Sequence, residues 1–243
     1  MNGGAEITAG AGRATRALQV QRRRFAVGDV HGCLRTLRTL VEKLIDLKRH
    51  DTLYLLGDYL DRGPHSKGVL DYLMALLEGG YDLRPILGNH EEMALQSVTD
   101  PKARAMWYFN RGGSTVAQFG VESPADIPAR YLSFLASLPL ILTTDDYVFV
   151  HAGLDFSTPD PVRDTQATCM LWERNFEVQT EKLRGRTLLC GHTVTSLSQI
   201  RSSLGKPVIC LDNGCFAKEQ PGFGNLVALQ LDTRELLVQK NCD

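Results

Sequence analysis

An α/β fold is what this 243-residue sequence predicts, on three observations. Short apolar runs of strand length alternate with stretches of helical period through the first third of the chain. At this length, with 43% hydrophobic residues, one domain can bury a sizeable core. Most of the apolar runs end in a small block of Gly, Asp, Asn or His, and open α/β sheets build their ligand sites just beyond the carboxyl ends of strands.

The elements follow in order. Residues 1–23 are rich in Gly, Ala and Arg without a sustained apolar period, and read as a solvated tail, with a transit peptide or an acidic partner site as the minority alternatives. Residues 24–243 read as one domain. Phe25-Ala26-Val27 is a short strand. Leu34, Leu37, Val41, Leu44 and Ile45 share one helical face, with Arg35, Arg38, Glu42 and Lys43 opposite. Thr52 to Leu56 is the next strand. Val69, Leu70, Leu73, Met74 and Leu77 mark a second amphipathic helix that closes at Gly79-Gly80. Leu83 to Leu87 completes β-α-β-α-β, for which a parallel sheet with right-handed crossovers is expected. From Glu91 to Leu138 the chain reads as mostly helical, broken by Pro124, Pro128 and Pro139, with Arg111-Gly112-Gly113 as a turn and, less favoured, a phosphate-binding loop. Strands return at 147–150, 187–190, 207–211 and 226–231, and with 236–238 they suggest a second, mixed or antiparallel sheet.

Composition narrows function. A net charge of −1 argues against bulk attraction to nucleic acid or to a membrane surface. No apolar run approaches the roughly 20 residues of a bilayer span, and the apolar core of a secretory signal is missing. The six cysteines include no Cys-x-x-Cys and mostly sit among apolar neighbours, so free thiols in a reducing cytoplasm are favoured over a disulfide framework.

The blocks carry the chemistry. Asp29-Val30-His31 places a carboxylate and an imidazole two residues apart just past a strand, between Gly28 and Gly32. Taken alone, such a pair is more often part of an ordinary surface loop. Gly57-Asp58-Tyr59-Leu60-Asp61-Arg62-Gly63 repeats Gly-Asp after the next strand, and a carboxylate, unlike one imidazole, can bridge two cations. Arg62 can clamp two phosphate oxygens, although a local Asp–Arg turn is the bland alternative. Gly88-Asn89-His90-Glu91 adds a neutral oxygen and an imidazole. His151 and His192 each follow an apolar strand; singly, either would read as a structural histidine. His50 and His65 lie in polar, helix-flanking surroundings and are assigned no role. Oxygen and imidazole donors without a cysteine make a poor structural zinc site, but a suitable open site for two divalent ions and a water of lowered pKa.

In this order the blocks resemble those of the phosphoprotein phosphatase family of binuclear metallophosphoesterases, over about Arg24 to Val238. The likeness is greatest to bacterial and phage serine/threonine phosphatases: Cys33, the run Gly57 to Pro64, Asn110 to Gly113 before Thr115, Leu138-Pro139-Leu140, and Leu171-Trp172 ahead of Arg174. The resemblance implies a calcineurin-like α/β sandwich, two central β-sheets flanked by helices. It implies that Asp29 and His31 bind one metal, that Asp58 bridges, and that Asn89, His151 and His192 complete the other. His90 is then the general acid, oriented by Asp61, and Arg62 and Arg174 bind phosphate. Leu211 to Cys215 resembles the shorter bacterial version of a C-terminal motif, so eukaryotic-style inhibitor and regulatory-subunit binding is not expected.

The expected activity is single-step hydrolysis of a phosphomonoester, first of phosphoserine or phosphothreonine in a protein, by a metal-bridging hydroxide attacking in line. The expected cofactors are two divalent ions, manganese first, with iron or zinc admitted by the same ligands. Symmetrical hydrolysis of diadenosine tetraphosphate is the nearest rival; that group resembles the chain in the same blocks but typically lacks the carboxylate at Asp61 and carries Asp where Glu91 stands. A non-catalytic phosphoprotein-binding module would be expected to have lost a ligand or the acid. A metallo-nuclease would be expected to show a basic, aromatic surface. The expected partner is a phosphoprotein or small phosphoester, with no nucleic acid or membrane, in the cytoplasm. The sequence does not fix an oligomeric state.

Overall fold

The computed structural model describes Met1 and residues 22–243. The predicted tail, apart from Met1, Arg22 and Arg23, lies outside the described residues. Arg22 pairs with Asp82, and Arg23 with Asp51.

The predicted parallel core forms. Strands β1 (Arg24–Val27), β2 (Thr52–Leu55) and β3 (Asp82–Pro85) pair in parallel. Helix α1 (Leu34–Thr39), extended by a π-helical turn at Leu40–Leu44, and α2 (Ser66–Glu78) make the crossovers. The helical middle is α3 (Asn89–Ser97), α4 (Pro101–Phe109), α5 (Gly112–Gln118) and α6 (Ala129–Ala136). The second sheet runs β4 (Ile141–Thr143), β5 (Tyr147–Val150), β6 (Thr187–Cys190) and β7 (Val208–Cys210), in that spatial order. Around it lie α7 (Pro161–Asp164), α8 (Ala167–Trp172) and α9 (Leu197–Ser203).

One expectation is corrected. The last two strands, β8 (Asn225–Gln230) and β9 (Glu235–Lys240), do not extend the second sheet. They join the first, in the order β3-β2-β1-β8-β9, with β8 antiparallel to β1. Sequence spacing identified the strands, but their partner is set by long-range closure. β4, three residues long, was not predicted at all.

Strand alternation assembles the sandwich. Ala26, Val227 and Leu229 face Tyr147, Phe149, Leu189 and Ile209 across the gap between the sheets. Tyr54 stacks on Phe149 with ring centroids 4.1 Å apart. On the outer side of the first sheet, Phe25, Val27, Leu53 and Leu55 pack with Leu37, Val69, Leu70 and Leu73 of α1 and α2. Outside the second sheet, Val148, Val150 and Leu188 pack with Leu154, Phe156 and Met170. Residues i and i+1 of each strand thus serve different cores, as the two-residue period requires. Arg24 bridges the sheets, donating to both carboxylate oxygens of Asp146 at 2.9 and 2.7 Å and to Asp232. The parallel strands of both sheets end along one edge, and the site lies there. Among the described residues no helix is long and apolar enough to cross a membrane.

Candidate metal centre

Every predicted ligand sits in a loop that leaves a strand or, for Asn89, at the first turn of α3. Asp29, His31, Asp58, Asn89, His151 and His192 are all buried. His31, Asp58, Asp61, Arg62 and His192 adopt left-handed backbone, with φ between 44° and 67°. Non-glycine residues pay about 1 kcal/mol or more for that conformation, and such strain gathers where function demands a particular direction for a side chain.

Asp58 is the hub. Its Oδ2 lies 3.4 Å from His31 Nε2 and its Oδ1 3.4 Å from His151 Nε2. Two clusters of mutually close donors therefore share this one carboxylate: His31, Asp58 and His90 on one side, Asp58, His151 and His192 on the other. Burial works against the ionised carboxylate, but His151, His90, His31 and Arg62 together hold it far below the usual range.

Backbone carbonyls set the ring tautomers. His31 Nδ1–H donates to the Leu60 carbonyl (2.8 Å) and His151 Nδ1–H to that of Leu56 (2.7 Å), so both Nε2 atoms carry lone pairs toward Asp58. The Asn89 amide oxygen lies 2.9 Å from His151 Nε2 and 3.0 Å from His192 Nδ1. Electron-rich atoms gathered in this way repel one another unless a cation sits among them. Two further imidazole nitrogens, His90 Nε2 and His192 Nε2, are buried without a hydrogen-bond partner among the described residues. Asp29, pushed well up by burial and by Asp212 and Asp58, accepts from the His192 backbone N–H at 3.0 and 3.2 Å. Three buried carboxylates so close together also call for positive charge. The donor set fits two divalent ions.

The four histidines divide by environment. Burial holds His31, His151 and His192 below the ordinary value, His192 at about 3, so they stand neutral as metal ligands must. Burial also opposes the charge on His90, but Asp58 and the Asp61 bond outweigh it and raise its pKa. His90 Nδ1–H donates to Asp61 Oδ2 at 2.6 Å. His90 thus keeps its proton to higher pH than the three rings beside it, and it also belongs to the cluster of His31 and Asp58.

Sequence reasoning missed the groups that fix this pair. Trp107 Nε1–H of α4 donates to Asp61 Oδ2 at 2.8 Å, and the Thr115 hydroxyl of α5 donates to Oδ1 at 2.5 Å. No local pattern links either residue to Asp61, 46 and 54 positions away; in the structure Gly112 leaves room for the Trp107 indole, which a Cβ there would meet at 2.3 Å. Glu91 was also underestimated. Its carboxylate accepts from the backbone N–H groups of Asp58, Tyr59, Leu60 and Gly88, which moors the loop after β2 to α3.

The arginines differ. Arg62 reaches the centre: its Nη1 donates to His31 Nε2 and its guanidinium lies 4.7 Å over the Phe216 ring. Arg174 stands exposed at the rim, donating to the His192 carbonyl at 3.3 Å. His50 and His65 lie outside both clusters.

Fold and site together define a metallophosphoesterase. The family model for calcineurin-like phosphoesterases matches residues 23–221, and the chain belongs to that family. It is 31% identical over 154 residues to serine/threonine-protein phosphatase 1 of Salmonella typhimurium, covering 62% of this chain and 68% of that protein. It is 30% identical over 130 residues to a symmetrical bis(5'-nucleosyl)-tetraphosphatase of Vibrio campbellii, covering 54% of this chain and 44% of that one. A serine/threonine phosphatase structure from Saccharomyces cerevisiae superposes with a TM-score of 0.63 at 17% identity, over 91% of this chain and 81% of that one; this likeness concerns the fold alone.

Proposed function

We propose that the chain is a phosphomonoesterase acting on phosphoserine and phosphothreonine in proteins. The observation that carries this reading is the buried Asp61–His90 pair, with His90 raised and Asp61 tied by Trp107 and Thr115. A serine or threonine alkoxide is a poor leaving group and needs a proton as the P–O bond breaks, which an oriented imidazolium supplies.

Asp29, His31, Asp58, Asn89, His151 and His192 would hold two divalent cations, for which manganese is the first candidate. When bound, the cations supply Lewis acidity and make hydroxide available from water near neutral pH. The chain's own residues do the rest. Arg62 and Arg174 bind the non-bridging phosphate oxygens and offset charge that grows in the transition state. Attack in line forms the new P–O bond opposite the ester oxygen, the ester bond breaks, and the His90 Nε2 proton passes to the departing oxygen. Asp61 keeps the imidazole in position and favours its charged form.

A second reading, symmetrical cleavage of dinucleoside tetraphosphates, is favoured by one observation. The symmetrical bis(5'-nucleosyl)-tetraphosphatase of Vibrio campbellii matches the chain at nearly the same identity as the Salmonella phosphatase. Metal-reconstituted protein should be assayed side by side on phosphoserine, phosphothreonine and phosphotyrosine peptides and on diadenosine tetraphosphate. Higher kcat/KM on the serine and threonine peptides is expected. Turnover of the dinucleotide alone would replace the first reading with the second.

A further inference from the structure

Next to Arg62 is a cavity of about 410 Å³ lined by Arg62, Arg111, Ser114 and Phe216. We propose that Arg111, beside Arg62, forms a second anion subsite that takes an acidic side chain next to the phosphorylated residue of a polypeptide; this rests on the protein phosphatase reading above.

Several features converge on Arg111. It is exposed, and its backbone is left-handed at φ 77°, a conformation that arginine does not favour. The segment is nevertheless held firmly. α4 ends at Phe109, Arg111 N–H donates to the Tyr108 carbonyl at 3.1 Å, and Gly112 is seated against the Trp107 indole. That indole also donates to Asp61, so one ring fixes both the acid pair and the segment that carries Arg111. Among the described residues, neither Arg62 nor Arg111 is paired with a carboxylate; the Arg62 contacts are with His31 and Phe216. Two guanidinium groups border one cavity; Arg62 also faces the Asp58 carboxylate, so the charge free for a further anion is chiefly that of Arg111.

The corner favours a polypeptide over a nucleotide. Met106 and Phe109, three residues apart on α4, are 55% and 86% exposed, so apolar surface is open to a polypeptide on the helix that leads into Arg111. The ring that could stack on a base, Phe216, already has Arg62 over its face and His31 packed against it edge to face.

The test uses the full chain reconstituted with manganese and three phosphoserine peptides of one sequence. Their flanking residue is Gln, Glu or a second phosphoserine, so a carboxylate and a phosphate source are read separately. The wild type should prefer at least one charged flank over Gln by about three- to tenfold in kcat/KM, carried by KM and fading as salt rises. In R111G that ratio should fall to about one, with R111K between. Glycine accepts the left-handed backbone without strain, so loss of fold does not confuse the result, and thermal unfolding checks it. Equal rates on all three peptides in the wild type, or an unchanged ratio in R111G, would overturn the proposal. So would an R111G defect confined to diadenosine tetraphosphate, which would assign the cavity to a polyphosphate chain. Turnover of p-nitrophenyl phosphate with no peptide hydrolysis would instead sink the protein phosphatase reading itself.

Discussion

His90 and its partners bear the clearest consequence of the site at the scale of single residues. Its Nε2 is buried and unpartnered among the described residues, while Nδ1 is tied to Asp61. As the acid, it should matter most for a poor leaving group. His90→Asn should lower kcat on a phosphoserine peptide by about 10²–10⁴, and lower it much less on p-nitrophenyl phosphate, whose leaving group needs no proton. Metal content per chain, measured by elemental analysis, should stay at two; loss of an ion would make His90 a ligand instead. Asp61→Asn removes one of the anions that raise the His90 pKa. The protonated imidazole is the active form, so activity falls as pH rises through that pKa. The alkaline limb of the kcat/KM profile should therefore move to lower pH in Asp61→Asn. An unmoved limb would assign it to another group.

At the scale of elements, α3 works as a clamp as much as a helix. The four backbone N–H groups that converge on Glu91 orient the turn that presents Asp58, even though burial and Asp58 itself push the Glu91 carboxyl up to about 8. Glu91→Gln would turn an amide NH₂ onto two backbone N–H donors, at a cost of about 1–3 kcal/mol in denaturant unfolding, and should lower metal occupancy as the turn loosens. A variant of native stability and metal content would refute the clamp. A second tie lies at the entrance to β1. Asp51 has no exposed side-chain surface and accepts from Arg23 Nη2 at 2.6 Å and from Lys48 N–H at 2.9 Å. Burial disfavours its charge, but the Arg23 and backbone donors win and lower its pKa. A depressed folded-state pKa adds stability above the unfolded value, near 3.9, and that stability disappears as pH falls through the folded value. Asp51→Asn should thus cost about 2 kcal/mol at pH 7, with the gap to wild type closing below about pH 4 in urea melts. These elements differ in how far the sequence disclosed them. The crossovers α1 and α2 and the strands β1 to β3 were legible because their periods are local. The membership of β8 and β9 was not, because antiparallel pairing with β1 joins residues some 200 positions apart and leaves no local trace.

Viewed as a whole molecule, the site was more legible than the fold around it. Each candidate ligand belongs to a short block after a strand, so local reading singled out Asp29, His31, Asp58, Asn89, His151 and His192, and the fold brings these residues to one edge. What stayed hidden were partners supplied by distant packing: Trp107 and Thr115 on Asp61, and the backbone groups on Glu91. The same geometry predicts that stability depends on metal. Asp29 and Asp58 come from loops of the first sheet and His151 and His192 from loops of the second, so an ion held between them ties the two sheets together. Without it, Asp29, Asp58 and Asp212 repel one another in a buried space, and Asp212 is raised to about 6 by burial and by Asp58. A ligand that binds only the folded state stabilises it by about 2.7 kcal/mol at a hundred times its Kd, which for a chain of this size is a shift of roughly 5–10 °C in Tm. Adding excess chelator to manganese-loaded protein at fixed pH should lower Tm by that amount, and manganese should restore it. Asp58→Asn removes the charge shared by both clusters and should leave Tm insensitive to chelator and metal alike. If wild-type Tm were equally insensitive, the ions would not bridge the sheets, and the sandwich would owe its cohesion to the apolar interface and to polar ties such as Arg24–Asp146 and the Tyr147 hydroxyl on the Leu231 carbonyl.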